Sequence, residues 1–488
     1  MTSPQEAPST IPNNSELIYG MDAHPKPHIA FFAAFQHLLA IIVPIITPGF
    51  LICNAVGLNP RDTSMILSMS LVISGIATFV QCRKFGPLGA GLLIVQGTSF
   101  NFVGPLIAGG VFMVEQGVPA EQVMATIFGV VIAGSFIEMG VSRILPFVRR
   151  MVTPLVTGIV VLIIGLSLIK EGLISMGGGY AAMKNGTFAN PDNLILSLTV
   201  FILIIIFNRM NYIWLRSSAI MLALVVGYIL AALMRDLNLV PLAQAPIFEI
   251  PRPMHFGISF SWSLFIPMIV IYLVTSLEAV GDITATSKIS KEPVEGPKWM
   301  ERIKGGVLVN GANSLLAGFF NTFPSSVFAQ NNGIIQLTGV ASRYVGLWIA
   351  AILVILGLFP IFSAVIQSLP EAALGGATLI MFGSVAASGI NILSSINLDR
   401  RALLIIAVSL SLGLGIAQVP QFIEAFPISV NLMISHLFSW VGIETVPSFI
   451  SAMPVVIADL MRSPLAMGGV TAILLNLFIP ESEETKAA

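Results

Sequence analysis

The chain has 488 residues, of which 56% are hydrophobic and 10% are charged, and its mean hydropathy is +0.92. A soluble domain carries about 25% charged residues, so this composition excludes an ordinary soluble protein. The net charge is −1 and the basic residues are scattered, which excludes a nucleic-acid-binding surface. We therefore predict an all-α polytopic membrane protein.

Apolar runs of about 20 residues recur from end to end, long enough to cross a hydrocarbon core. A polar, Pro-rich tail (residues 1–28) precedes them, and a short polar tail (481–488) follows. Residues 417–463 carry several prolines and an amphipathic stretch at 428–440, which indicates an interfacial or partly re-entrant segment. The 14 predicted spans cover residues 29–52, 63–82, 88–108, 122–142, 152–170, 193–208, 217–234, 263–287, 303–320, 327–340, 344–366, 371–391, 401–416 and 464–480.

The basic residues predict the orientation of these spans. With the N-terminus inside, 17 of the 23 Lys and Arg residues fall on the inner side and the other 6 on the outer side. Because cytoplasmic loops carry an excess of Lys and Arg, we expect both termini to be cytoplasmic. The hydrophilic stretch 288–304 is then the cytoplasmic link between two halves of the chain.

Two predicted spans are poor continuous helices. Residues 91–105 and 321–333 are rich in Gly and polar groups, and each belongs to the third span of its half. Corresponding interrupted segments in two halves point to a transporter whose inverted repeats meet at a midplane site. The alternative is close helix packing through small residues, which does not require the amides of Gln330 and Asn331.

An acidic residue, Glu278, lies in an apolar run of helical length, and Asp282 follows four residues later. On a helix this spacing puts both carboxylates on one face, about 6 Å apart. A carboxylate at membrane depth costs roughly 3 kcal/mol or more, so it is typical of a substrate contact, an ion site or a proton relay. The alternative is a carboxylate that only hydrogen-bonds a neighbouring helix.

The polar groups of the interrupted segments favour a flat, uncharged heterocycle with imide edges. The amides at 330–332 offer paired N–H and C=O groups, and Glu278 accepts a hydrogen bond from a substrate N–H. Phe100 offers an aromatic face, and the backbone at Ser99 offers further polar groups. A fixed anion would require a deep Lys or Arg. Two alternatives stay open: Phe100 as ordinary core, and Asn101 as a bond to the backbone alone.

Three further polar residues lie in predicted spans. We expect His37 in the first span to act as a structural hydrogen-bonding group or a proton carrier. Glu138, close to Arg143, predicts an ion pair at the cytoplasmic end of the fourth span. Asn310 in the ninth span is expected to brace the Glu278 helix. No H-E-x-x-H motif or nucleophile motif in a supporting context is present, so we predict no metal, no cofactor and no enzyme.

The sequence QNNGIIQLTG at 330–339 resembles the signature of the nucleobase–ascorbate transporter family, which is Gln/Glu/Pro-Asn-x-Gly, four residues, Thr, then Arg/Lys/Gly. The strings LEAVGDITAT from Leu277, QHLLA from Gln36 and QGTSFNF from Gln96 reinforce it. The likeness covers about residues 16–480 and is greatest to the bacterial xanthine permeases.

This resemblance implies two inverted repeats of seven spans, with short antiparallel strands in the interrupted spans 3 and 10. It implies a core domain formed by residues 29–142 and 261–366, and a gate domain formed by 143–260 and 367–480. The substrate would lie between the two domains, and homodimers would form through the gate domains.

The resemblance also implies roles for individual residues. Glu278 and Gln330 would bind a purine directly, Phe100 would stack on it or use its backbone, and Asn331 would support the site. Asp282 and His37 would be needed for activity or for site geometry.

This chain departs from the family pattern at two positions. Asn310 stands where many members have an aspartate, which leaves Glu278 as the leading proton carrier. Ser99 stands where some xanthine-selective members have asparagine, and the smaller side chain would admit uric acid. Uracil permeases tend to have Glu at position 330 and His at 282, and this chain has neither, which favours a purine.

We therefore expect a proton-coupled symporter that imports a purine, xanthine above all, across the bacterial inner membrane by alternating access. Sodium coupling stays open. The alternatives are a uric acid or broader purine permease, an uncoupled facilitator or channel on the same fold, and, by fold alone, an anion transporter.

Overall fold

The computed structural model describes residues 17–151, 153–234, 237–416, 418–440 and 463–479, together with 453–454, 457–458 and 461. The first half contains helices α1 (Pro27–Val56), α2 (Pro60–Arg83), α3 (Val103–Glu115), α4 (Ala120–Met151), α5 (Pro154–Met176), α6 (Gly179–Asn185), α7 (Pro191–Arg209), α8 (Ile213–Ser217), α9 (Ala219–Met234) and α10 (Val240–Gln244). The second contains α11 (Trp262–Ile289), α12 (Gly296–Phe319), α13 (Ala329–Thr338), α14 (Arg343–Gly357), α15 (Pro360–Gln367), α16 (Glu371–Ser394), α17 (Arg400–Leu410), α18 (Pro420–Trp440) and α19 (Pro464–Phe478). Two strands, β1 (Gln96–Thr98) and β2 (Ser325–Val327), a 3₁₀ helix (Phe100–Phe102) and a π-helical segment (Ser411–Gly415) are also present.

Local sequence explains where several helices begin. Pro60 and Pro191 occupy the first turns of α2 and α7, where a missing N–H leaves no helical bond unmade. The side chains of Asn59 and Asn190, one residue earlier, accept hydrogen bonds from the third backbone N–H of each helix. These caps fix the start of each helix next to its loop.

Among the described residues, seven helices are long and apolar enough to cross a bilayer, and the bent pair α14–α15 makes eight if it is one span. The seven are α1, α2, α4, α5, α7, α11 and α16, whereas α3, α9 and α19 form shorter apolar helices. A polytopic helical membrane protein is thus confirmed. The count of 14 spans and the inverted repeats stay predictions, and most of both predicted tails (1–16 and 481–488) lies outside the described residues.

Three predicted spans are not continuous helices. The span predicted at 88–108 is largely extended as far as β1 and becomes α-helical only at Val103, and the span predicted at 327–340 starts in β2 before α13 begins. The span predicted at 344–366 breaks into α14 and α15, which are inclined by 77°. Pro360 cannot donate the backbone bond that would continue α14, which accounts for the break. The predicted amphipathic stretch 428–440 lies within the largely exposed helix α18.

The two interrupted segments meet as a buried, two-stranded antiparallel sheet. Gln96 pairs with Val327, and Thr98 pairs with Ser325. Backbone bonds extend the contact beyond the strands, since the N–H of Ser99 donates to the carbonyl of Pro324 at 2.9 Å. The chain continues from each strand into a helix, α3 or α13, so both helices start beside this sheet.

Helices from the two halves pack closely in pairs. A Cβ atom at Gly165 of α5 would overlap the backbone of Ala386 in α16, and one at Gly311 of α12 would lie 2.7 Å from the backbone nitrogen of Met139 in α4. Small residues let membrane helices approach to backbone contact, where dispersion forces stabilise them. The pairs α5–α16 and α4–α12 therefore hold the halves of the chain together.

Candidate functional site

The candidate site lies where the two-stranded sheet ends against helices α11 and α16. Ser99 and Phe100 come directly after β1, and Gln330 and Asn331 stand in the first turn of α13, just after β2. The Phe100 ring is buried and packs edge-on against Phe382 of α16, with ring centroids 5.7 Å apart. The sheet therefore brings both interrupted segments to one place, as their composition predicts.

The carboxylate of Glu278 is held by an amide from the first interrupted segment. Nδ2 of Asn101 lies 2.6 Å from Oε2 of Glu278 and 3.1 Å from Oγ1 of Thr275. The interpretation that Asn101 bonds only to the backbone is therefore wrong. A hydrogen bond to a charged acceptor is stronger than a neutral one, so Asn101 fixes the position of this carboxylate.

Asp282 lies one helical turn beyond Glu278, and both side chains are half-buried. The Oγ1 of Thr286 lies 2.5 Å from Oδ1 of Asn332, and Nδ2 of Asn332 donates to the backbone carbonyl of Asp282 at 3.3 Å. These bonds attach the start of α13 to α11. Among the described residues, no Lys, Arg or His forms an ion pair with either carboxylate.

Asn331 is a bridge inside the protein. Its Oδ1 lies 2.8 Å from Nδ1 of His37 in α1, and its Nδ2 donates to the carbonyl of Leu93 at 2.7 Å. His37 and Asn331 are both buried. The geometry agrees with the expected supporting position of Asn331 and gives His37 a structural hydrogen bond, whereas a proton-carrying role for His37 stays a prediction.

Gln330 differs from its neighbour because its side chain is exposed. Ala329, Gly333 and Gln336 are also exposed, at the spacing of one face of α13. On α11, Glu278 and Asp282 are both half-buried and stand one turn apart, so they lie on the same partly accessible face of that helix. The amide of Gln330 and the two carboxylates are thus available to a solute, whereas Asn331 is not.

A cavity of about 220 Å³ lies between α3 and α5 and reaches Asn101. Gly104, Pro105, Ser167 and Glu171 are among the residues that line it. None of the predicted site residues does, so this cavity adjoins the Asn101–Glu278 pair without enclosing it.

Two predictions about polar residues of the fourth and ninth spans were wrong or incomplete. Glu138 does not form an ion pair with Arg143: it is completely buried, and Arg143 is exposed. Asn310 supports β1 rather than the Glu278 helix, because its Oδ1 accepts a hydrogen bond from Nε2 of Gln96. Gln96 was not among the predicted site residues, although a glutamine beside a broken helix is a usable signal.

Comparisons with known proteins identify the family. Residues 28–422 match the family model Xan_ur_permease, described as a permease family. Xanthine permease XanP of Escherichia coli K12 is 47% identical over 488 residues, 99% of each chain. The chain belongs to the nucleobase–ascorbate transporter family. XanQ of the same organism is 41% identical and covers 96% of this chain and 94% of its own, and uric acid permease PucJ of Bacillus subtilis is 33% identical over 83% and 88%.

Solved structures show the same fold in more distant proteins. The transmembrane domain of the cyanobacterial bicarbonate transporter BicA matches with a TM-score of 0.57 at 14% identity, covering 94% of this chain and 99% of that one. SLC26A9 matches with a TM-score of 0.55 at 14% identity, covering 79% and 62%. As a nucleobase–ascorbate transporter family member with permease relatives, the chain is a membrane permease and not an enzyme.

Proposed function

We propose that this permease imports a purine nucleobase, with xanthine as the preferred substrate, together with a proton. The observation that carries the proposal is that Asn101, next to Phe100 in the first interrupted segment, holds the Glu278 carboxylate, while the second interrupted segment pairs with the first and continues into α13 with an exposed Gln330. Relatives named xanthine permeases, similar along almost the whole chain, support the same substrate.

Each group has a role in recognising a purine. Glu278 accepts a hydrogen bond from a ring N–H, and the Gln330 carboxamide makes a two-point contact with an adjacent N–H and C=O pair. Phe100 packs against the ring or presents its backbone, and Ser99 lies beside it. Because the Ser99 side chain is small, uric acid is the second candidate substrate, and a relative named uric acid permease supports it.

The charges on α11 support proton coupling. Glu278 and Asp282 lie one turn apart without a cationic partner among the described residues. Two neighbouring carboxylates repel each other, and one proton relieves that repulsion. We propose that Glu278 takes up this proton from outside, binds substrate and releases both to the cytoplasm, while Asp282, His37 and Asn331 maintain the site.

The transport cycle we propose is a movement of a core domain (29–142 and 261–366) against a gate domain (143–260 and 367–480). Phe100 and Phe382 then form a contact between the two domains. We place the protein in the bacterial inner membrane with cytoplasmic termini, as a homodimer joined through its gate domains.

The test is uptake of radiolabelled xanthine by cells that express the chain, with and without a protonophore. Unlabelled uric acid, guanine, hypoxanthine and uracil serve as competitors. We expect an accumulation of radiolabelled xanthine that collapses with the protonophore. Unlabelled xanthine and uric acid should compete with this uptake, whereas uracil should not. Uptake that never exceeds the outside concentration would identify a facilitator instead, and no uptake by protein present in the membrane would overturn the substrate.

A further inference from the structure

Glu138 is a buried acidic residue that the proposed site does not use. It lies in α4 with no exposed surface, and neither carboxylate oxygen has a hydrogen-bond partner of normal geometry among the described residues. Asn310 in α12 is also completely buried, and the next residue, Gly311, packs against Ser135 and Met139 of α4. The Nδ2 of Asn310 has no partner in the described part of the chain, so an unpaired amide donor and an unpaired carboxylate lie at the same contact between α4 and α12.

The surroundings of Glu138 exclude bulk water. Gly311 brings α12 to the backbone of Met139, one residue along α4. On the other side, a Cβ atom at Gly134 would overlap the ring of Tyr272 in α11, and the Tyr272 hydroxyl donates to the carbonyl of Val131 at 3.1 Å. Glu138 is therefore enclosed by close contacts between three helices.

One titratable side chain faces Glu138 from the described residues of these helices, namely Tyr272 of α11. Glu278 is six residues further along α11, which places it about 120° around the helix axis from Tyr272. On α12, the charged residues Arg302 and Lys304 lie about 9–12 Å closer to the start of the helix than Asn310 does. α3 carries a charge only at Glu115, in its last turn, and α19 carries none. Among the described residues, no cation forms an ion pair with Glu138.

An amide chain leads from Glu138 to the candidate substrate site. Asn310 precedes Gly311, which packs against Met139 of α4, and its Nδ2 has no hydrogen-bond partner among the described residues. Its Oδ1 accepts a hydrogen bond from Nε2 of Gln96, which belongs to β1, pairs with Val327 and lies three residues before Ser99. One amide of α12 thus connects the part of this helix that packs against α4 to the strand that leads to the site.

We propose that Glu138 is a second protonation site of the transport cycle, a positioning residue that acts on strand β1 through Asn310 and Gln96. As a neutral acid Glu138 makes a weak contact with the amide, whereas as an anion it holds Nδ2 of Asn310 tightly. Each state favours a different position of Gln96. Because such coupling is reciprocal, purine binding next to β1 changes the proton affinity of Glu138, and pH changes the affinity for purine.

The inference rests on the proposed function, so its test has one readout with substrate and one without. The variants are E138Q, the double variant E138Q/N310D, and E121Q, which removes an exposed carboxylate from the first turn of the same helix. Uptake of radiolabelled xanthine gives KM and the maximal rate from pH 5.5 to 8.5. Infrared pH titration of each purified protein follows the carbonyl band of a protonated carboxylic acid.

We expect the KM of the wild type and of E121Q to change with pH by about fivefold or more, the range of ordinary coupling between sites. E138Q should reduce this change in KM at least about twofold and leave the part that Glu278 contributes. E138Q/N310D should restore the full change, because the carboxylate then stands on the other side of the same contact. A wild-type pH profile in E138Q would overturn the proposal. If xanthine is not the substrate, the infrared titration decides. A carboxylic acid band that titrates in the wild type and in E121Q but is lost in E138Q supports the proposal. Identical titrations of the wild type and E138Q overturn it.

Discussion

At the scale of single residues, Asn101 determines how Glu278 can act. Its amide donates to Oε2 of Glu278 at 2.6 Å and lies close to Thr275 at 3.1 Å. The same residue lines the cavity between α3 and α5. The carboxylate proposed to receive substrate and proton is therefore oriented by the segment that follows β1.

Replacing Asn101 tests this positioning role. Asn101→Ala leaves Glu278 without its donor, and we expect xanthine uptake, measured as kcat/KM, to fall about ten- to a hundredfold, since hydrogen bonds to charged groups contribute about 1.5–3 kcal/mol. Thr275→Val, which removes only the weaker neighbouring contact, is the control and should lose less. Equal uptake by wild type and Asn101→Ala, at equal amounts in the membrane, would contradict this geometry.

Rare chemistry can be recognised in a sequence. Carboxylates in an apolar run and amides at a broken helix are unusual, which is why Glu278, Asp282 and Gln330 are predicted as site residues without coordinates. Their binding of substrate stays a prediction. The ion pair predicted for Glu138 was wrong, because the spacing to Arg143 does not reveal which helix covers the Glu138 face of α4. The sequence could not identify Asn310 as the partner of Gln96 either, since these residues are distant in sequence and meet only through the packing of α12 against β1.

At the scale of elements, the sheet between the interrupted segments requires a glycine. A Cβ atom at Gly97 in β1 would lie 2.5 Å from Phe328 and 2.7 Å from Ile45, both buried side chains. The composition of 91–105 and 321–333 predicted the interruption, but not the strand register. That register depends on this close approach and on hydrogen bonds between the two halves.

Substitution at Gly97 should therefore abolish transport. We expect Gly97→Val to reduce xanthine uptake to background and to lower thermal stability, because a branched side chain forces the strands apart from Phe328 and Ile45. Gly104→Ala is the matched control, since its Cβ would meet Leu168 at an ordinary 3.7 Å. The proposed packing is wrong if Gly97→Val transports and melts like the control.

At the scale of the whole molecule, helices from both halves interleave in the pairs α5–α16 and α4–α12. Hydropathy predicted the membrane class and most long helices, because length and apolar composition are local properties. Hydropathy missed the break at Pro360, because it predicted one continuous span over residues 344–366. The fold shared with BicA and SLC26A9 shows why fold alone does not identify the solute: related frameworks occur in proteins named for bicarbonate or anion transport.

The predicted orientation can be tested with added cysteines, because Cys53 and Cys82 are buried and unpaired. Lys291→Cys lies in the predicted cytoplasmic link and Lys184→Cys in a predicted outer loop, and both positions are exposed. We expect a membrane-impermeant maleimide to label Lys184→Cys in intact cells, and Lys291→Cys only in inside-out vesicles. The reverse pattern would invert the proposed topology.

The most direct test of the central proposal is proton movement caused by substrate. Purified protein in liposomes, with a pH-sensitive dye inside and no imposed gradient, receives xanthine from outside. We predict that xanthine acidifies the interior in the wild type and that Glu278→Gln abolishes this signal, because the amide cannot carry the proton. Accumulation of xanthine by the wild type without any proton movement would contradict proton symport through Glu278.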